Sequence, residues 1–329
     1  MKFPKHEPPP KAFTRVPPAI FPSILGLLGL GLAWRRASEA YGKSSAISDL
    51  ILGATLILLV VGLTAYGLKF LKRPSVLIDD LRVLPGRSGL AAGSLSLALT
   101  AAILLRYSPG LANIVFFTAC LSHCCLAIAL VYVFATGPSE QRQVTPVWHL
   151  SFVGFILLPL SAIPLGYLGF AQMVLMFSIV AALFIYGVSL GQMFHRDPPP
   201  PLRPLLAIHL APLSLFGTVA LMLGLPQISL AFATLATLLV AALVLKAKYL
   251  IAAGFSPLWG AFTFPFAAYT SLMLMLGGQG LGPLEGRVAR IVGLVLLLLA
   301  TALILFIAYR VFQMWMRGTL AQKTNAATA

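Results

Sequence analysis

The chain has 329 residues, of which 59% are hydrophobic and only 9% are charged, and its mean hydropathy is +0.95. Soluble domains carry about a quarter charged residues, so this composition excludes a soluble protein and predicts a polytopic membrane protein. The net charge of +15 then indicates basic loops that face anionic lipid, and no nucleic-acid partner is expected.

Ten apolar segments are long enough to cross a bilayer, which takes about 20 mostly apolar residues. Several links are short, such as Ser108-Pro109-Gly110, so consecutive spans are antiparallel neighbours and form five hairpins. We expect a basic, proline-rich cytoplasmic tail at 1–16, a membrane domain at 17–315 and a second cytoplasmic tail at 316–329. The predicted spans are 17–34, 48–70, 88–106, 111–135, 147–167, 169–193, 204–224, 227–247, 255–276 and 287–315.

Basic residues are distributed unequally between the two ends of these spans. If both termini are cytoplasmic, that side carries 17 of the 23 basic residues. Cytoplasmic loops are enriched in Lys and Arg, so the sequence predicts that both termini are inside. The six basic residues on the outer side are Arg35, Arg36, Lys43, Arg106, Arg287 and Arg290.

Helix-breaking residues fall inside the first helix of each hairpin. Proline removes a backbone donor and kinks a helix, and membrane helices tolerate such breaks where they line a cavity or contact protein. We therefore expect the five odd-numbered helices to line a central pore and the five even-numbered helices to surround them. The alternative is that proline is simply common in membrane helices. The predicted kinks are Pro22, Gly93, Pro159, Pro212 and Pro265.

The ninth span carries three aromatic residues around its proline, in Phe262-Thr263-Phe264-Pro265-Phe266. All eight acidic residues lie in loops, in tails or at span ends, which argues against a proton relay or cation coordination inside the membrane. A largely uncharged pore beneath basic rims favours anions. An aromatic side chain beside Pro265 is then the best candidate to close the pore.

Histidine and cysteine residues supply the remaining candidate sites. His209, three residues before Pro212, is the predicted polar side chain of the pore, and a hydrogen bond to a neighbouring helix is the alternative. His149 and His195 are expected to be solvated near the cytoplasmic interface. His123, Cys124 and Cys125 carry soft-metal ligands, but consecutive helical residues point in different directions, so no metal site is predicted.

The sequence shows no catalytic constellation and no nucleotide-binding motif. We therefore expect no enzyme activity and no cofactor, although a membrane-embedded enzyme is an alternative from another class.

Three short motifs occur in order along the spans: Pro17-Pro18-Ala19-Ile20-Phe21-Pro22, Leu210-Ala211-Pro212, and Leu258-Trp259-Gly260-Ala261-Phe262-Thr263-Phe264-Pro265. With these motifs the chain resembles the tellurite-resistance/dicarboxylate transporter family. The resemblance implies a pseudo-fivefold arrangement of helical hairpins around a pore, usually in a trimer. It also implies that a phenylalanine of the ninth span closes the pore. That residue corresponds to Phe264, with Phe262 as the second candidate.

The leading hypothesis is an anion channel or channel-like transporter of a bacterial inner membrane, which passes small inorganic or carboxylate anions through a pore gated by Phe264. The alternative is a secondary transporter, such as a proton-coupled one, for dicarboxylate, sulfite or tellurite-related anions, with His209 or His123 as its titratable group. The expected partners are the lipid bilayer and further copies of the chain in a homotrimer. The resemblance does not select the anion.

Overall fold

The computed structural model describes residues 14–281 and 286–329, and all regular elements within these ranges are helical, with no strand. Nine of the described helices are long and apolar enough to cross a membrane, which confirms an all-α polytopic fold. Most of the predicted N-terminal tail, residues 1–13, lies outside the described residues, as do the side chains of Arg287 and Arg290. The helices are α1 (Phe21–Tyr41), α2 (Ala46–Lys72), α3 (Val76–Arg82), α4 (Leu84–Leu104), α5 (Pro109–Thr136), α6 (Pro159–Ala162), α7 (Leu168–His195), α8 (Leu210–Met222), α9 (Pro226–Leu245), α10 (Ala247–Leu250), α11 (Gly260–Gly278), α12 (Gly286–Met316) and α13 (Thr319–Lys323).

The fifth predicted span, 147–167, is an irregular segment rather than a continuous α-helix. It consists of a π-helical turn at His149–Val153, a 3₁₀ turn at Gly154–Leu157 and the short helix α6. Pro159 has no N–H to donate to the Phe155 carbonyl, and that carbonyl accepts a hydrogen bond from the Leu158 N–H at 2.9 Å instead. We call residues 149–162 the broken segment.

Burial separates the helices into two rings. In the most apolar stretch of α1, α4, α11 and the helical segment Pro200–Met222, 67–83% of the positions are buried. The segment Pro200–Met222 combines a 3₁₀ helix with α8. In the corresponding stretches of α2, α5, α7, α9 and α12 the buried share is 22–33%. In the four hairpins whose first helix has membrane length, that helix is therefore inside, and the second helix of all five hairpins is outside, as the helix breakers predict.

The inner elements close into a ring. α1 packs against α4 on one side and α11 on the other, α11 packs against α8, and α8 packs against the turn Gly154–Leu157. The broken segment contacts α4 through both of its turns and α6, which completes a circle of five. Each inner element also packs against the outer helix that follows it in the chain. The five hairpins thus have the expected pseudo-fivefold order.

A close approach within the ring joins α1 to α11. A Cβ atom added at Gly26 would lie 2.3 Å from Cβ of Thr263, so only glycine fits there. The Thr263 hydroxyl lies 3.0 Å from the Pro22 carbonyl oxygen of α1. Small residues let membrane helices approach closely enough for such contacts. This contact fixes the position of α11 along the length of α1.

Both ends of the described chain lie at the same end of the bundle. The Ala329 N–H donates to the Thr14 carbonyl at 2.8 Å, and the Ala327 N–H donates to Oδ1 of Asp80 at 2.8 Å. The segment 316–329, predicted as a tail, contains α13, which packs against α12. We call this end of the bundle proximal and the opposite end distal.

Candidate functional site

Two cavities lie inside the inner ring, and all five inner elements contribute to each. The proximal cavity has a volume of about 60 Å³. Among the described residues that line it, only Ser88 and His149 are polar. The others are aliphatic residues, prolines and glycines, together with Phe264. This cavity is therefore a small and largely apolar space.

The distal cavity is larger, with a volume of about 260 Å³, and it is lined by charged residues. α1 contributes Gly29, Leu32, Arg36 and Glu39, at a spacing of three to four residues that puts them on one helix face. Arg35 and Arg106 line the same cavity. A positive rim thus surrounds an otherwise mostly apolar wall.

Phe264 and Leu215 line both cavities and therefore lie between them. Phe264 is only 8% exposed, and its ring packs over Gly29, where an added Cβ would lie 3.0 Å from Cδ2 of the ring. Pro265 follows within α11 and lines the proximal cavity. Phe264 thus borders both spaces.

Phe262, the second gate candidate, has a different environment. It is buried, and its ring lies edge-on to Trp259 with a centroid separation of 5.8 Å. It is not among the described residues that line either cavity. The contacts of Phe262 are those of a packing residue within α11.

The five predicted kink residues fall into two groups. Pro22, Pro212 and Pro265 line the proximal cavity. Pro159 begins α6 and is buried, and a Cβ added at Gly93 would lie 3.3 Å from the ring of Phe21. The last two residues therefore shape the inner ring without being among the described residues that line the two cavities.

His209 lies in a buried polar cluster between the broken segment, α7 and α8. Its Nδ1 is 2.9 Å from Nε2 of His149, and its Nε2 is 3.2 Å from Oγ of Ser189. Tyr186 donates its hydroxyl proton to the His209 carbonyl oxygen.

The histidine that lines the proximal cavity is His149, which is only 3% exposed. Sequence reasoning misses it because a histidine near a span end looks the same whether buried or solvated. His195 is exposed.

His123 and the two cysteines beside it do not converge. Nδ1 of His123 is 2.8 Å from Oγ of Ser94, and its ring packs edge-on to Phe155. Cys124 and Cys125 are exposed on the outer surface of α5. Consecutive residues of a helix face different sides, which keeps these three side chains apart. Within the described residues no group of three or more possible metal ligands occurs.

A buried ion pair at the proximal end is a feature that the sequence analysis missed. Nζ of Lys69 lies 2.7 Å from Oδ2 of Asp80, and both side chains are fully buried. Lys69 also donates to the Val16 carbonyl oxygen at 2.9 Å, and Tyr66 donates to Asp80 at 3.0 Å. The only signal in the sequence is an acid placed 11 residues after a lysine across the Pro74 turn. The pair fastens α2 and α3 to the start of the inner ring.

Nine described helices of membrane length and an inner ring of five elements that line two cavities are typical of a helical membrane channel or transporter. A family model described as SLAC1, voltage-dependent anion channel, matches residues 15–312 of the chain. The chain therefore belongs to this family, and the match covers all five hairpins. A comparison with curated proteins found no match. Membership makes the chain a multi-pass membrane protein of an anion channel and transporter family, whose members are not enzymes.

Proposed function

We propose that the protein is a channel that passes small anions along the axis of the inner ring and that Phe264 is its gate. The observation that carries this proposal is the position of Phe264 and Leu215 at the boundary of both cavities. A bulky apolar ring at a constriction excludes both the volume of an ion and the water that would hydrate it. Pro265 follows Phe264 within α11 and lines the proximal cavity, and a proline inside a helix typically kinks it.

Anions are the substrates that the charges around the axis favour. Arg35, Arg36 and Arg106 line the distal cavity against one acid, Glu39. A positive potential at the mouth of a narrow, low-dielectric passage raises the local anion concentration and repels cations. Small inorganic anions and carboxylates both meet this requirement.

The orientation and assembly of the channel complete the proposal. We assign the proximal end, with both termini, to the cytoplasm of a bacterial inner membrane, because that end carries most of the basic residues. The outer helices expose large apolar side chains, including Leu121, Phe177 and Leu238. These faces fit lipid and the neighbouring subunits of a homotrimer.

The test is anion efflux from liposomes that contain the wild-type protein or Phe264→Ala, with Phe262→Ala as the matched control. Phe264→Ala is expected to raise the chloride or nitrate flux by about tenfold or more, since truncation removes the constriction. Phe262→Ala is expected to leave the flux within about twofold, because its ring packs against Trp259. Equal flux in all three proteins, with the variants folded, contradicts the gate.

A coupled transporter is the second candidate, and the His149–His209 pair favours it. Nδ1 of His149 has no hydrogen-bond partner among the described residues, and His149 lines the proximal cavity. A neutral imidazole has one donor and one acceptor nitrogen, so a proton taken up at His149 has a path to His209 and Ser189. If transport is coupled, a pH gradient drives uphill anion uptake that His149→Gln abolishes. Uptake that follows only the anion gradient favours the channel.

A further inference from the structure

Arg310 is an exposed cation on the outer helix α12, and it pairs with no acid among the described residues. Leu299, Phe306 and Arg310 share one face of the helix, because their spacings are close to whole helical turns. All three are exposed, so this face meets lipid. A charged side chain that faces hydrocarbon without a partner is strongly unfavourable. The guanidinium of Arg310 therefore lies where a partner from outside the chain reaches it.

The contacts of Arg310 place its guanidinium at the level of the lipid headgroups. The guanidinium lies over the ring of Phe255, 4.7 Å from the ring centroid. Phe255 belongs to the irregular connection 251–256, and residues 251–254 of this connection are exposed. Irregular backbone that faces lipid does not occur within the hydrocarbon region. The connection, and the guanidinium that packs on it, therefore lie in the headgroup region at the proximal end.

Aromatic rings hold the guanidinium in place and leave its donors free. Arg310 also lies 5.9 Å from the centroid of Phe306, whose ring packs edge-on to Phe255 at 6.1 Å. Trp259 packs against Phe255 at 5.4 Å and donates its indole N–H to the Gly254 carbonyl at 3.0 Å. Contact with a ring uses the face of a guanidinium, whereas its five N–H donors lie around the edge. The exposed edge of Arg310 is thus available to an oxyanion.

The charges near Arg310 in the chain favour an acidic phospholipid over a zwitterionic one. Lys246 and Lys248 precede the connection 251–256, Arg317 follows at the end of α12, and all three are exposed. Among the described residues none of the three pairs with an acid. Basic side chains at a membrane surface attract lipids of net negative charge, and they repel the ammonium group of a zwitterionic headgroup. A guanidinium also makes strong, charge-assisted hydrogen bonds to phosphate oxygens.

We propose that Arg310, held by Phe255 and Phe306, binds the phosphate of an acidic phospholipid such as phosphatidylglycerol at the proximal surface. The acyl chains lie along the exposed face of α12 that contains Phe306 and Leu299. The site goes beyond the channel function, because Arg310 is not among the described residues that line either axial cavity. Bound lipid stabilises the start of α11, since Phe255 and Trp259 connect Arg310 to that helix.

The test measures the melting temperature of the purified, delipidated full-length protein in a neutral detergent. Phosphatidylglycerol is titrated into the micelles, and phosphatidylcholine with the same acyl chains is the zwitterionic probe. Phosphatidylglycerol is expected to raise the melting temperature of the wild type more than phosphatidylcholine does. Arg310→Gln is expected to raise the half-saturating concentration of phosphatidylglycerol by about fivefold or more, because it removes the charged donors. Arg317→Gln removes one charge from the same end of α12 and is the matched control, with an expected change below about twofold.

Phe255→Leu separates the built site from a general effect of positive charge. The substitution keeps every charge and an apolar side chain, but it removes the ring on which the guanidinium lies. The half-saturating concentration of phosphatidylglycerol is expected to rise by about threefold or more. A response equal to that of the wild type shows that net charge alone attracts the lipid, and it contradicts the site. If Arg310→Gln fails to fold, this variant decides the matter.

Further results also overturn the proposal. One is an equal response to phosphatidylglycerol in Arg310→Gln and Arg317→Gln, and another is equal stabilisation of the wild type by the two lipids. Stabilisation by inorganic phosphate that matches that by phosphatidylglycerol assigns Arg310 to a free anion instead. A changed oligomeric mass of Arg310→Gln in light scattering, with an unchanged response to phosphatidylglycerol, assigns the surface to a contact between copies of the chain. All of these measurements are made without flux, so they are independent of the result for the gate.

Discussion

The two axial cavities are built by the same five elements, yet they differ in size and in charge. The proximal cavity holds about 60 Å³ and is lined by Ser88 and His149 as its polar residues, while the distal cavity holds about 260 Å³ and is lined by three arginines. The inner elements all start at the proximal end, so the distal cavity lies at their carboxyl ends. Those ends carry partial negative charge, which favours basic residues nearby.

This contrast shows that the distribution of charge over the whole chain does not predict the charge of the pore. Most basic residues belong to the proximal end, but among residues 14–281 and 286–329 no lysine or arginine lines the proximal cavity. Lys69 is buried against Asp80, Arg203 pairs with Asp197, and Arg310 packs over the ring of Phe255. The distal end has fewer basic residues, but three of them line its cavity.

The largest expected effect is the loss of the boundary that keeps the two cavities apart. Leu215 is the other residue that lines both cavities, so the double variant Phe264→Ala/Leu215→Ala is expected to join them. Anion flux should exceed that of Phe264→Ala alone by about threefold or more, because two adjacent side chains act as one barrier and their effects are not additive. Liposome efflux measures it, with Leu213→Ala in the same background as the control. If the double variant and Phe264→Ala have the same anion flux, Leu215 is not part of the barrier.

A second prediction concerns the contact that holds α11 at its height in the ring. Gly26→Ala places a methyl group 2.3 Å from Cβ of Thr263, and overpacking of this kind destabilises a protein by roughly 1–3 kcal/mol. The melting temperature of the detergent-solubilised protein is expected to fall by several degrees. Gly53→Ala, where an added Cβ meets nothing within 4 Å, is the control and should not lower it. A Gly26→Ala protein as stable as the wild type contradicts the tight contact of α1 with α11.

The smallest expected effect tests the exposed charge at the distal mouth. Arg106→Gln, made in the Phe264→Ala background, is expected to reduce the anion current carried from the distal side by about twofold to threefold at low salt. The difference should vanish near 1 M salt, where charges are screened beyond about 3 Å. Planar-bilayer recordings measure it. Lys43→Gln removes a distal charge that does not line the cavity and should have less effect. A loss of current that persists at high salt assigns Arg106 a structural role instead.

The hairpin architecture could be predicted from the sequence because it follows from two regular signals. Apolar stretches of membrane length mark the helices, and breakers such as Pro22, Pro212 and Pro265 mark the inner ones. The structure confirms the division into inner and outer helices. An uncharged span with three aromatic residues around Pro265 predicts an aromatic gate in this helix, and the family resemblance selects Phe264 among the three. Phe264 lines both cavities, and its role as the gate stays a prediction.

The details of the site could not be predicted because they depend on contacts between distant segments. His149 lines a cavity because the broken segment turns it inward, and no local pattern distinguishes it from the solvated His195. Arg35 lies at a span end, where the sequence indicates a rim charge. Its burial with two unsatisfied nitrogens arises only when α1, α2 and α4 are assembled. Periodicity and composition carry no information about contacts between residues that are distant in the sequence.

The most direct test of the central claim is a graded series at the gate. Anion flux through liposomes is measured for Phe264→Leu, Phe264→Val and Phe264→Ala, beside the same three substitutions at Phe262. If Phe264 closes the axis by its volume, flux rises stepwise as the side chain at position 264 becomes smaller, while the series at position 262 stays flat. Flux that is independent of side-chain volume at position 264, or that rises equally in both series, contradicts the account.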